Sequence, residues 1–344
     1  MTSALGPFAP SEWWLVLLTA VLAAVLSAGL IRMIRPVLLK HVLARPNARS
    51  SHKVPTPQGA GIAVVLATMA AAGLLLASRS GIPSNLPLTV FGATVFIAAV
   101  GFADDIRPIP ILPRLLLQAL AVGALLAASP SEFRIIPAFP FWLERGLLLL
   151  AGLWFINLVN FMDGLDWMTV AEIVPITAAM TVLGLYGELP PSAAVIAAAL
   201  CGAMIGFAPF NRPVATIFLG DVGSLPIGLL LGFCLLQLAF RQHVAAALLL
   251  PLYYLADATV TLGRRIVRGE PFWIAHRSHF YQRATDNGVS VLQVVSRVFV
   301  LNLALAALAI ASIEMRSRAA DAVCLVLGIV AVASVLLRFS RKRG

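Results

Sequence analysis

Apolar runs long enough to cross a lipid bilayer recur from one end of this chain to the other, separated by short loops. A crossing needs about 20 mainly apolar residues to span roughly 30 Å of hydrocarbon. Such runs lie near 12–33, 60–78, 88–103, 111–129, 142–158, 168–186, 191–208, 223–240, 245–262, 292–312 and 320–338. With 60% of the 344 residues hydrophobic and 12% charged, water is excluded as the solvent of most of this surface. The expected fold is all-α, a polytopic integral membrane protein with about 11 (10–11) transmembrane helices. No linker, low-complexity tract or internal repeat interrupts the pattern, so one membrane domain is expected over 1–344. The third and fifth runs are short, which suggests tilt or shielding by neighbouring helices. No basic stretch precedes the first run and no small-residue cleavage site follows it. It therefore reads as a retained helix, and the mature chain is expected to begin at or near Met1.

Lys and Arg fix orientation, because short loops rich in them stay in the cytoplasm. With the N-terminus outside, nineteen of the twenty-five fall on the inner face, among them Arg32, Lys40, Arg107, Arg212 and the group from Arg264 to Arg283. The bias favours N-out and C-in, and it makes most of the net charge of +10 topogenic, with no nucleic-acid partner implied. Cys201, Cys234 and Cys324 sit in apolar runs without paired spacing, as small core residues do.

The loops expected outside (79–87, 130–141, 187–191, 241–243, 314–318) are short. Those expected inside (34–60, 103–114, 157–168, 209–224, 263–291) hold the acids, amides and histidines. Two adjacent carboxylates, Asp104 and Asp105, close the third run. Like charges in sequence need a cation or a proton between them, so the pair is a candidate metal neighbour or general base. Asn157, Asn160, Asp163 and Asp166 follow at intervals of three, a polar stripe on one helical face suited to a hard cation and a polar ligand. Glu172, just beyond, either joins that face or snorkels.

Asn211 precedes a stretch of small residues, Gly220 to Ser224, where backbone can approach a ligand and Ser224 can cap the next helix. Asp221 there would repel a bare phosphate, and a bridging metal resolves the conflict. The longest inner loop carries Arg264, Arg265, Arg268, His276, Arg277, His279 and Arg283, which offer forked donors and a titratable ring to phosphates. In the loop from Ser50 to Gly61, His52 and Lys53 meet either a phosphate or a lipid headgroup. Asp257 is an acid within a run, either functional or paired with an Arg of the late loop.

In this order, and over residues 50–283, these five blocks resemble the polyprenyl-phosphate N-acetylhexosamine-1-phosphate transferase family, which also contains the enzyme making lipid I of peptidoglycan. The resemblance implies ten or eleven helices in the bacterial inner membrane, a cytoplasmic site and Mg²⁺. It implies transfer of a sugar-1-phosphate from a UDP-N-acetylhexosamine to undecaprenyl phosphate, with release of UMP. It makes Asp104 and Asp105 the paired aspartates, one of them the base, and sets Asn160 and Asp221 at the metal. Asp163 and Asn211 match further site positions, Asp166 one near the nucleoside, and His279 the first histidine of the family's histidine motif. Asn157, Lys53, Arg277 and Arg283 complete the candidate substrate contacts.

Where the peptidoglycan and enterobacterial members carry two or three clustered histidines, this chain reads His279, Phe280, Tyr281, Gln282. The string from Ala275 to Arg283 is most similar to the branch that initiates O-antigen, which implies GlcNAc or a 6-deoxy amino sugar as the group transferred. The alternatives left open are the phospho-MurNAc-pentapeptide transferase of peptidoglycan synthesis, a cation-coupled transporter with polar groups at the bilayer midplane, and a non-catalytic scaffold. Oligomeric state is not legible, and the resemblance is compatible with a homodimer.

Overall fold

A computed structural model describes residues 8–44, 55–79, 85–271 and 276–342. Its helices are α1 (Trp13–His41), α2 (Gly61–Ser78), α3 (Asn85–Ile106), α4 (Ile111–Ala128), α5 (Phe141–Met162), α6 (Met168–Leu185), α7 (Pro191–Phe207), α8 (Asp221–Phe240), α9 (Val244–Leu249), α10 (Leu252–Val267), α11 (Phe280–Asp286), α12 (Val291–Glu314) and α13 (Arg318–Ser340). Ten of them are long and apolar enough to cross a membrane, so the chain is a multi-pass, all-α membrane protein. Among the described residues the only strands are β1 (Leu43–Ala44) and β2 (Thr56–Pro57), paired antiparallel.

Three expectations change in detail. The third and fifth runs are not short: α3 and α5 are 22 residues each, because the polar ends that hide them in a hydropathy reading are helical too. The polar loop expected from residue 34 begins only after His41, since α1 runs for 29 residues and carries Arg32, Arg35 and Lys40 on its last turns. At 1.5 Å per residue that is about 43 Å, longer than the hydrocarbon alone requires. The ninth run is not one helix. α9 stops at Leu249 and α10 starts at Leu252, because Pro251 between them has no N–H for the helical ladder.

α7 and α8 are buried along almost their whole length and form the centre of the bundle. Leu17, Val21 and Val25 of α1, Leu116 and Leu120 of α4, and Val326, Leu327 and Val330 of α13 are exposed, as side chains facing lipid must be. Small residues set the closest approaches: a Cβ on Gly202 or Gly206 of α7 would run into the Ala20 or Ala24 carbonyl of α1. The three cysteines are free and buried.

The loops sort to two ends. At one end Glu188 meets His243 at 3.0 Å, Gln242 donates to the Arg134 carbonyl at 3.0 Å, Arg79 pairs with Glu12 at 3.3 Å, and Arg134 pairs with Glu144. These belong to the short loops and their flanks. The amide- and acid-rich loops meet at the other end.

Candidate active site

The site is built where α3 ends, α5 ends and α8 begins. The N-terminus of α8 leaves backbone N–H groups unsatisfied, and its cap position is Gly220, which has no side chain to serve them. Asp105, the penultimate residue of α3, does so instead: its carboxylate accepts from Asp221 N at 2.9 Å and Val222 N at 3.0 Å, and also from the Gln58 side-chain amide. The helices come this close because glycines face each other. A Cβ on Gly101 would stand 2.5 Å from the Asp221 carbonyl carbon and 2.7 Å from Val222 N, and one on Gly61 would strike Gly223. The small residues expected to let a ligand approach backbone are thus used for helix-to-helix approach. The segment before α2 zips along the one before α8, with Phe218 N on Pro57 O at 2.8 Å and Gly61 N on Leu219 O at 2.9 Å.

Asp104 turns the other way. It accepts from Ile109 N at 2.5 Å and from the Arg114 guanidinium at 3.0 Å, with its side chain largely covered, and it adjoins the carboxylate of Asp221. Asn160 of α5 reaches across to Asp221 Oδ1 at 2.8 Å and Ser224 Oγ at 2.9 Å. Ser224 therefore does not cap α8; it lies within the first turn as an acceptor for Asn160. Three carboxylates, Asp104, Asp105 and Asp221, converge here from two helices with one guanidinium among them.

The stripe of three-residue intervals breaks at Met162, where α5 ends. Asp163 follows the helix and accepts from the Thr169 hydroxyl. Burial pushes its carboxyl up to about 6, and the charges of Asp105 and Asp166 add to the effect, against the Thr169 hydrogen bond. Asp166 accepts from Ala215 N at 3.0 Å. Asn211 takes Trp167 N at 2.8 Å and donates to the Ile217 carbonyl at 3.1 Å, so these two side chains staple the loop after α5 to the loop before α8. Trp167 holds a left-handed backbone (φ 64°) between them. Asn157 faces away, toward α4, in an amide pair with the buried Gln118 at 2.6 Å.

The late loop docks on the same end. Tyr281 donates its hydroxyl to the Phe161 carbonyl at 3.0 Å, and a Cβ on Gly164 would collide with that hydroxyl. The His279 ring lies 4.9 Å from the His276 ring at a tilt of 31°, with Nδ1 on Asp257 at 3.2 Å. Asp257 thus pairs with the histidine, not with an Arg of the loop. Glu172 is buried against Asn302, away from the stripe it was expected either to join or to snorkel from. Arg277 pairs with Asp286 at 3.1 Å, and Arg283 lies 5.9 Å over the Phe280 ring; both line a cleft of about 280 Å³ with Arg264, Arg265 and Arg268. Lys53 lies outside the described residues, as does His52.

Sequence reasoning did not single out Gln58, Arg114, Thr169 or Tyr281. Arg114, ten residues from its acid, leaves no spacing signal, and Gln58 was visible only as the polar residue between Pro57 and Gly59.

Residues 87–239 match the family model of Glycosyl transferase family 4, a span that holds Asp104, Asp105, Asn160, Asp163 and Asp221 but not His279. The decaprenyl-phosphate N-acetylglucosaminephosphotransferase of Mycobacterium tuberculosis is 28% identical over 360 aligned positions, taking in 94% of this chain and 88% of that protein. The protein of the same name in Mycobacterium leprae is 28% identical over 326, with 84% of this chain and 80% of its own length covered. The phospho-N-acetylmuramoyl-pentapeptide-transferase of Gluconobacter oxydans is 27% identical over 319, covering 79% of this chain and 83% of that protein.

Proposed function

We propose that this chain is a phosphoglycosyltransferase of the family its motifs resemble: it transfers an N-acetylhexosamine-1-phosphate from a UDP-sugar to undecaprenyl phosphate, releasing UMP, on the cytoplasmic side of the bacterial inner membrane. The observation that carries this reading is the convergence of Asp104, Asp105 and Asp221 with Asn160, drawn from three helices far apart in sequence onto one end of the bundle. Both kinds of named relative, the N-acetylglucosaminephosphotransferases and the phospho-N-acetylmuramoyl-pentapeptide-transferase, support it. The clustering of arginines at that same end supports an orientation with N-terminus periplasmic and C-terminus cytoplasmic.

In the reaction an oxygen of the lipid phosphate attacks the sugar-bearing phosphorus of the UDP-sugar. The bond from that phosphorus to the bridging oxygen of UMP breaks, leaving a lipid-linked pyrophosphoryl sugar and UMP. Asp105 caps α8 through both carboxylate oxygens, and Asp104 is held by Ile109 N and the Arg114 guanidinium; in this reading Asp104, whose partner Arg114 is a phosphate-binding cation, is the acid of the pair assigned to the incoming lipid phosphate. A phosphate there competes with Asp104 for Arg114, which brings a guanidinium onto the nucleophile and frees the carboxylate to take its proton. His279, Arg277 and Arg283 steady the phosphates of the donor from the late loop.

The resemblance also implies Mg²⁺, and the donor set fits it. Asp221 offers carboxylate oxygens and Asn160, which here donates its amide Nδ2 to Asp221, carries an amide oxygen that a cation can take, beside two further carboxylates that a divalent cation would relieve. Among the described residues no group of three His, Cys, Asp or Glu is placed to hold a metal by itself. When bound at Asp221 and Asn160 it would supply charge neutralisation at the pyrophosphate.

The single histidine in the stretch from His279 to Gln282 favours the branch that initiates O-antigen over cell-wall synthesis. The test is purified protein with undecaprenyl phosphate, Mg²⁺ and a panel of UDP-N-acetylhexosamines, following UMP and lipid product. Product from UDP-GlcNAc or a UDP-6-deoxy amino sugar supports the proposal. Product only from UDP-MurNAc-pentapeptide reassigns the branch, and accumulation of a UDP-sugar in vesicles without lipid product replaces enzyme by transporter.

A further inference from the structure

One fully buried acid at this end of the bundle takes no part in the proposed transfer. Asp257 on α10 is fully buried, and its two carboxylate oxygens accept from five donors. These are His279 Nδ1 at 3.2 Å, Phe280 N at 3.0 Å, Tyr281 N at 3.2 Å, the Tyr253 hydroxyl at 3.3 Å and the Thr261 hydroxyl at 3.3 Å. A buried carboxylate costs several kcal/mol unless its lone pairs are met, and here three of the five donors come from the start of α11. The arrangement joins two elements that the sequence separates by a polar segment: α10, which is amphipathic and buries Tyr253, Tyr254, Asp257, Ala258 and Thr261 on one face, and α11, which His279 opens.

We infer that Asp257 is the positioning residue of His279: it takes the proton-bearing Nδ1, fixes the ring, and leaves Nε2 as the only ring nitrogen available to the donor phosphates. Nε2 has no hydrogen-bond partner among the described residues, whereas Nδ1 is held. An imidazole whose Nδ1–H is given to a carboxylate is locked in one tautomer and orientation. Two neighbours hold the ring from the sides. His276 lies 4.9 Å away, and Tyr281, at 5.7 Å, is pinned by its hydroxyl to the end of α5 beside Asp163. The break at Pro251 has a purpose in this reading. It separates α10 from the straight helix that would otherwise continue α9, so the face bearing Asp257 is free to meet the late loop.

The inference rests on the proposed role of His279 at the phosphates, and the experiment separates the two. Histidine ¹⁵N spectra of the full chain in detergent, with the His279 signals assigned from the His279→Ala variant, report the tautomer directly. The expected spectrum has Nδ1 protonated, and a neutral ring protonated at Nε2 in the unaltered protein overturns the inference whatever the activity. In kinetics, Asp257→Asn is expected to lower kcat by about 10- to 100-fold while leaving KM for undecaprenyl phosphate unchanged. The Asp257→Asn/His279→Ala double variant should be no slower than His279→Ala alone. Losses that multiply in the double variant overturn the inference, because Asp257 would then act independently of the ring. Should His279→Ala turn over normally while Asp257→Asn still changes the ¹⁵N tautomer pattern, positioning stands and the catalytic role of His279 falls. Asp257→Glu keeps the charge and serves if the Asn variant does not fold; it should recover part of kcat.

Discussion

Replacing Gly101 by Ala tests whether the approach of α3 to α8 sets the site. The added Cβ would stand 2.5 Å from the Asp221 carbonyl carbon and 2.7 Å from Val222 N, where ordinary contact begins near 3.4 Å. The obstructing atoms are backbone at the start of a helix, so no side chain can swing aside, and the two helices must part by roughly 1 Å. The bonds from Asp105 to Asp221 N and Val222 N, now 2.9 and 3.0 Å, would then lie beyond hydrogen-bonding reach. Overpacking of this kind costs about 1–3 kcal/mol, and the loss of two charge-assisted bonds adds to it. Asp221 moves relative to Asn160 and Asp104 by the same distance, and a misplacement of about 1 Å in a catalytic group lowers turnover by about 100-fold. The assay is UMP release by purified protein, with a detergent melting curve on the same samples. Gly92 on the same helix has open space where its Cβ would be, so Gly92→Ala is the control, expected to be neutral or stabilising by up to about 1 kcal/mol. Unaltered turnover and melting in Gly101→Ala would refute the argument that this glycine contact places Asp221.

Asp221→Asn keeps the shape of the side chain and removes its charge; turnover should vanish while the melting curve in detergent is retained, and normal turnover would remove Asp221 from the metal site. Asn157→Ala strands the buried amide of Gln118 and should cost about 1–3 kcal/mol in stability with turnover of the folded protein within a few-fold of normal. A loss of turnover at full stability would instead bring Asn157 to the substrate. For Asp163, whose carboxyl is pushed from 3.8 up to about 6, the folded state holds a proton that the unfolded chain releases earlier. Its contribution to stability is therefore full below about pH 4 and is lost as pH rises through about 6. In metal-free protein, Asp163→Asn should melt higher than the unaltered chain at pH 7, by at most about 3 kcal/mol, with the difference closing toward pH 4; an advantage that grows on acidification would contradict the burial argument.

Several features of the site are readable along the chain, and several are not. Asp104 and Asp105 stand out as adjacent acids after an apolar run, and Asp221 as an acid among glycines. Their division of labour is invisible in sequence, because it depends on α8 arriving with an uncapped end in front of Asp105. The same holds for the stripe from Asn157 to Asp166. Its periodicity assumes one continuous helix, whereas α5 ends at Met162 and Asn157 already faces α4. Asp257 is conspicuous as an intramembrane acid, but its partner is 22 residues away across a loop, and arginines nearer in sequence made a better guess than His279.

What the sequence determines by itself is what each segment must do in its solvent. A run of about 20 apolar residues has to bond its own backbone in hydrocarbon, and a polar loop has to leave it, so helices, their approximate number and the gathering of polar groups at one end follow from local composition. Tertiary structure alone decides which polar groups meet. In a bundle, helix partners are chosen by close packing of small residues such as Gly61, Gly101, Gly202 and Gly223 against backbone, and those contacts join positions more than a hundred residues apart. Gln58 and Asp105 reach the start of α8 through that packing, and no local rule of composition or period carries information over such a distance.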